Sequence, residues 1–155
     1  MRGLIYFPDE QNSFFKDKII GKTIVEIRGA YSGSDHISFK FSDNTYMKMY
    51  HSQSCCENVE LDDIVGDIDD LINAKILGAE LVQASDDGNP KNRYDSSYTW
   101  SFYKFRTNKG YVDIRWYGSS NGYYSETVDI QYVDLNNFDD WENVFYSRRI
   151  RNNWS

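Results

Sequence analysis

Tyr98-Thr99-Trp100-Ser101-Phe102-Tyr103-Lys104-Phe105-Arg106, then Thr107-Asn108-Lys109-Gly110, then Tyr111-Val112-Asp113-Ile114-Arg115-Trp116-Tyr117 decide the fold. Two strand-forming runs flank a short turn closed by glycine, the mark of an antiparallel hairpin. Gly118-Ser119-Ser120-Asn121-Gly122 turns the chain again, and Tyr123 to Val133 reads as the next strand. Upstream, Ile20 to Arg28 is rich in β-branched residues and ends at Gly29. His36 to Phe41 alternates, placing Ile37, Phe39 and Phe41 on one face, and Thr45 to His51 resumes the alternation after the turn Ser42-Asp43-Asn44. With connections this short, 19–51 is a three-stranded meander. Ala74 to Val82 reads as a further strand, and Asp86 to Asn92, dense in turn residues, reads as the most protease-sensitive internal loop.

Two stretches read as helical. Leu61, Ile64, Val65, Ile68, Leu71 and Ile72 share one helical face with carboxylates around the rest, which predicts a helix over 61–72 weakened at Gly66. Cap-like residues from Asn137 and the spacing of Phe138, Trp141, Val144 and Phe145 predict a C-terminal helix over 138–149. The fold class is therefore α+β: a twisted antiparallel meander of six to eight strands with one or two short helices packed on it. No repeated strand–helix alternation calls for a parallel sheet.

Length and composition agree with one domain spanning 1–155. Aromatic residues make up 17% of the chain, which excludes a disordered protein. The net charge of −7 argues against a general binder of nucleic-acid backbone, which needs a basic footprint. No stretch is long and apolar enough for a signal-peptide core or a membrane span. Cys55 and Cys56 are adjacent, and the strained ring that would join them predicts free thiols and a reducing cytoplasm, with each thiol pairing to a second chain as the alternative.

Three constellations can carry chemistry. His51, Gln53, Cys55, Cys56 and Glu57 combine imidazole, thiol and carboxylate at a strand-to-helix corner. No second cluster exists to complete a zinc site, so no metal, cofactor or catalytic residue is assigned. The expectation is structural duty, with one cysteine buried and the other partly exposed. Glu60, Asp62, Asp63, Asp67, Asp69 and Asp70 form an acidic face able to occupy a basic groove, or simply a solvated one. Arg115, Tyr117, Asn121, Tyr123, Tyr124 and Glu126 cluster around a glycine-flanked turn. Together with His51, Gln53 and Glu57 they are a candidate ligand pocket, offering stacking platforms and a guanidinium to a planar ligand. They also suit a twisted hairpin with cross-strand aromatic pairs.

The motif His51-x-Gln53-x-Cys55-Cys56-Glu57, the run Asp67-Ile68-Asp69-Asp70-Leu71-Ile72 and the hairpin, with Arg115-Trp116-Tyr117-Gly118-x-Ser120-Asn121-Gly122-Tyr123-Tyr124-Ser125-Glu126, resemble an uncharacterised family of small phage and prophage proteins. The likeness covers roughly 19–130. It implies a phage setting and the host cytoplasm, and it implies no catalytic role. The resulting expectation is a non-enzymatic inhibitor or binder of a host factor, an anti-defence protein whose acidic face blocks a nuclease or other nucleic-acid-binding protein. Direct nucleic-acid binding and membrane contact are not expected. The alternative is a protein that sequesters a small molecule or nucleotide signal. A second alternative is an enzyme using His51, Cys55, Cys56 and Glu57, although no P-loop, nucleophile elbow or zincin motif accompanies them.

Overall fold

The computed structural model describes residues 15–85, 90–92 and 94–134. The expected 138–149 helix and residues 86–89 of the expected loop lie outside them. Eight strands follow in order: β1 (Ile24–Arg28), β2 (His36–Phe41), β3 (Thr45–Tyr50), β4 (Asn58–Val65), β5 (Ile76–Ser85), β6 (Ser97–Thr107), β7 (Gly110–Ser120) and β8 (Asp129–Asp134). They form two four-stranded antiparallel sheets, β1-β2-β3-β8 and β4-β7-β6-β5. Among the described residues the only helical pieces are a short turn at 15–19 and a 3-10 turn at Ile68–Leu71. The protein is mostly β, with two sheets where an α+β fold on one sheet was expected.

The 61–72 helix is the main correction, and its cause is a β-bulge. Leu61 pairs with Trp116 and Asp63 with Arg115, so Asp62 is an extra residue that resets the phase of β4. Val59, Leu61 and Ile64 therefore all turn inward, at spacings of two and then three. A strand carrying one bulge thus mimics helical spacing. Gly66 then adopts φ +104°, with the Tyr111 carbonyl 2.5 Å from where a Cβ would stand, and only Ile68–Leu71 coils. The Tyr123–Val133 strand is also shorter than expected. Residues 121–128 cross from one sheet to the other, and β8 pairs with β3 rather than with β7.

The sheets share one hydrophobic core. Phe39 of the first sheet meets Phe105 of the second at 5.6 Å between ring centroids. Phe15 from the helical turn packs edge-on against Tyr103 and Phe105, at 5.2 and 5.3 Å. Ile37, Met47, Met49, Leu61, Val112, Ile114 and Trp116 complete the buried layer. The layers are also stitched at their margins. Leu61 donates to the Ser34 carbonyl and accepts from the Gly33 N–H, which covers part of the free edge of β4. Bridges Thr23–Lys75 and Ile24–Ile72 join the other side.

Alternation along the central strands sets up the outer face of the second sheet. On β6, Thr99, Ser101, Tyr103 and Phe105 are buried, so Tyr98, Trp100, Phe102, Lys104 and Arg106 point outward. Their partners on β7 are Ser119, Tyr117, Arg115, Asp113 and Tyr111.

Candidate functional site

The two sequence motifs meet at one end of the second sheet. His51 leaves β3 buried at 1% exposure, and its two ring nitrogens lie 2.7 Å from the Thr127 carbonyl and 2.7 Å from the Glu57 carboxylate. Each ring nitrogen faces an acceptor oxygen, so the imidazole ties the crossing to the corner. The Glu57 carboxylate also accepts the backbone N–H groups of Ser54 and Cys55, each at 2.9 Å. Burial opposes ionisation of Glu57, but the His51 bond and these amides outweigh it and hold the carboxyl at about 2. The Gln53 carboxamide spans the same turn, donating to the carbonyls of Cys55 and Glu57.

Capture of those amides explains a second correction. The corner turns its backbone inward, so both Cys55 and Cys56 are exposed, where one was expected to be buried. They are also bonded to each other as a disulfide, where free thiols were expected.

The 121–128 crossing is anchored as tightly. Buried Glu126 accepts the Thr99 hydroxyl on one oxygen at 2.9 Å and the Ser120 hydroxyl on the other at 2.5 Å. Its backbone lies directly over Gly118, where an added Cβ would stand 2.1 Å from the Glu126 carbonyl oxygen. Side-chain caps shape the turn: Ser120 Oγ accepts the Gly122 N–H, and Asn121 Oδ1 accepts the Tyr123 N–H.

A cleft of about 240 Å³ opens beside these supports, lined by Cys56, Tyr94, Asp95, Ser96, Ser119, Ser120, Asn121 and Tyr124. Asp95 is held by the Tyr117 hydroxyl, which donates to its Oδ2 at 2.6 Å and accepts the Lys91 N–H at 3.0 Å. Burial first, and then the bond to Asp95, push the Tyr117 phenol up to about 12. Oδ1 of Asp95 is left to accept, the Asn121 amide nitrogen to donate, and the Ser119 hydroxyl to do either.

Of the residues in the candidate pocket, Asn121 and Tyr124 line this cleft. Tyr117 and Glu126 act through Asp95 and Ser120, while His51, Gln53 and Glu57 hold the loop that carries Cys56. Arg115 lies apart on the outer face, 3.1 Å from Asp62 and 5.5 Å above the Trp100 ring. Tyr123 is 83% exposed and packs edge-on against Tyr124.

The six acidic residues do not share a helix face. Glu60, Asp62 and Asp63 are on β4, where Lys91 pairs with Glu60 and Asp62, and Arg115 with Asp62 and Asp63. Asp67, Asp69 and Asp70 belong to the 3-10 turn, which Asp67 caps by accepting the Asp69 N–H. Among the described residues no group of three His, Cys, Asp or Glu is placed to hold a metal ion, and no helix is long and apolar enough to cross a membrane.

Residues 17–130, from the helical turn into β8, match DUF7448, a domain of unknown function. The chain belongs to that family. No curated protein and no solved structure matches it. The match takes in every residue that lines the cleft in this DUF7448 domain. The sequence reading missed Tyr94, Asp95, Ser96, Ser119 and Ser120. The available signal was strand register: the hairpin's pairing brings Ser97 opposite Ser120 and Tyr98 opposite Ser119, and so carries the 94–96 segment to the same end.

Proposed function

We propose that this protein is a non-catalytic binder that captures a small hydroxyl-bearing ligand with a planar group, of the nucleoside class, in the Asp95–Asn121 cleft. The observation that carries the reading is the cleft's composition: a carboxylate acceptor, an amide donor and serine hydroxyls between two tyrosines. That set suits a vicinal diol, which offers donors and acceptors side by side. The volume suits one sugar-sized ring, leaving the planar part to lie on the tyrosines. Catalysis has less support because the reactive groups nearby are committed. His51, Glu57 and Glu126 are each bonded on both sides, and the cysteine sulfurs are bonded to each other. Docking of a basic partner on the acidic residues has less support too, since Lys91 and Arg115 already offset three of the six. In the phage setting that the sequence resemblance implies, such a site would serve to sequester a nucleotide signal.

Calorimetric titration of the full chain with adenosine, ribose and 2′,3′-dideoxyadenosine tests this. Adenosine should bind, the dideoxy analogue should bind about tenfold or more weakly, and Asp95→Asn should cost a similar factor, as expected for hydrogen bonds to a charged group. Ribose binding as tightly as adenosine would make this a sugar site. Turnover of a phosphoester or peptide substrate that is lost in Cys55→Ala would replace binding with catalysis.

A further inference from the structure

Resting on the nucleoside reading, we propose that the natural ligand is a short single-stranded oligonucleotide of about three nucleotides. It lies along β6, with its terminal ribose diol in the cleft and its terminal 5′-phosphate at the opposite end of the same strand. The outward residues of β6 run, in order, Tyr98, Trp100, Phe102, Lys104, Arg106: three rings, then two cations. Tyr98 adjoins the cleft through its register partner Ser119. The rings form an unbroken row. Tyr98 stacks on Tyr117 at 6.1 Å, Tyr117 meets Trp100 at 4.5 Å, and Trp100 and Phe102 lie nearly parallel (15°) with centroids 6.5 Å apart. Stacking platforms at successive outward positions, about 7 Å apart along a strand, accept one base each.

Beyond the rings lies a second groove, of about 570 Å³, lined by Lys16, Gly78, Glu80, Lys104, Arg106, Tyr111 and Asp113 among others. Three cations there face two carboxylates. Lys104 is tied to Asp113 at 2.9 Å and sits 5.9 Å from the Phe102 ring centre. Arg106 lies across Gly78, where a Cβ would come within 3.2 Å of its Nε, and donates to the Leu77 carbonyl. From Tyr98 to Arg106 the strand covers about 27 Å, longer than any single nucleotide. Glu80 and Asp113 offset two of the groove's three cations, so it neutralises about one phosphate and the site takes a short oligomer rather than a long phosphate backbone. This departs from the sequence-based expectation of no direct nucleic-acid binding.

The test is calorimetric titration of the full chain with 5′-phosphorylated triadenylate, the same trimer with a 5′-hydroxyl, and adenosine. The phosphorylated trimer should bind at least tenfold tighter than adenosine, with a salt slope near −0.7, as for about one phosphate contact on a single strand. The advantage of the 5′-phosphate should disappear in Arg106→Gln, an exposed position. Trp100→Ala should cost about tenfold and Trp100→Phe should restore most of it, which separates stacking from folding. A trimer no tighter than adenosine, or a phosphate advantage that survives Arg106→Gln, overturns the oligonucleotide and leaves the nucleoside site standing. Failure of all three probes to bind sinks both.

Discussion

Gly118→Ala should lower the melting temperature by about 10 °C and detach the 121–128 crossing from the second sheet. The methyl would stand 2.1 Å from the Glu126 carbonyl oxygen, a contact between two backbones that no rotamer change relieves. Either β7 or the crossing must move. Moving the crossing breaks the Thr99 and Ser120 bonds to Glu126 and draws Thr127 away from His51. Overpacking of this kind costs about 3 kcal/mol or more, and a chain of this length loses about 3 °C per kcal/mol. Differential scanning calorimetry reads the shift, and adenosine affinity should fall with it because Asn121 and Tyr124, which line the cleft, lie on the displaced segment. A melting temperature within 2 °C of wild type would show that the close approach does not hold the corner.

Glu57 should make the fold acid-labile. Its carboxyl sits at about 2 in the folded chain against an ordinary 4.5, so between those values the unfolded state binds more protons. The sign follows. This contribution is fully present above about pH 4.5 and is lost as pH falls toward 2, in total on the order of 3 kcal/mol. Glu57→Gln should remove the pH-dependent part and, by taking the charged acceptor away from His51 and the Ser54 and Cys55 amides, cost about 3 kcal/mol at neutral pH. Urea midpoints measured from pH 7 to pH 3 for both chains check this. Other carboxylates titrate in the same range, so the difference between the two curves isolates Glu57. Parallel curves would contradict the pairing.

What the sequence revealed, and what it hid, follows from periodicity. β2, β3, β6 and β7 were legible because their inward residues recur every second position, and the two-residue Asn108-Lys109 turn joins the last pair. β4 was not, because the bulge at Asp62 converts a two-residue period into spacing that imitates a helix. Nor can period 2 report which sheet a strand joins, so the passage of 121–128 to β3, and with it the second sheet, had no local signature. At the site, Asn121, Tyr124, Glu126 and the His51–Glu57 pair were recognisable by residue type. Asp95 and its neighbours were not, because they bear on the cleft only through strand register. The cysteines were misplaced by their general preference for burial, which here loses to a carboxylate that draws the backbone amides inward.

The central claim is that the hydroxyl-rich cleft at the end of the second sheet is the binding site. Its most direct test is a two-dimensional amide NMR titration of the ¹⁵N-labelled chain with adenosine. The account predicts saturable shifts at Asp95, Ser96, Ser119, Asn121 and Tyr124, with the amides of Asp67, Asp69 and Asp70 unmoved. No shift at the cleft residues, or shifts confined to the acidic 3-10 turn, would contradict it.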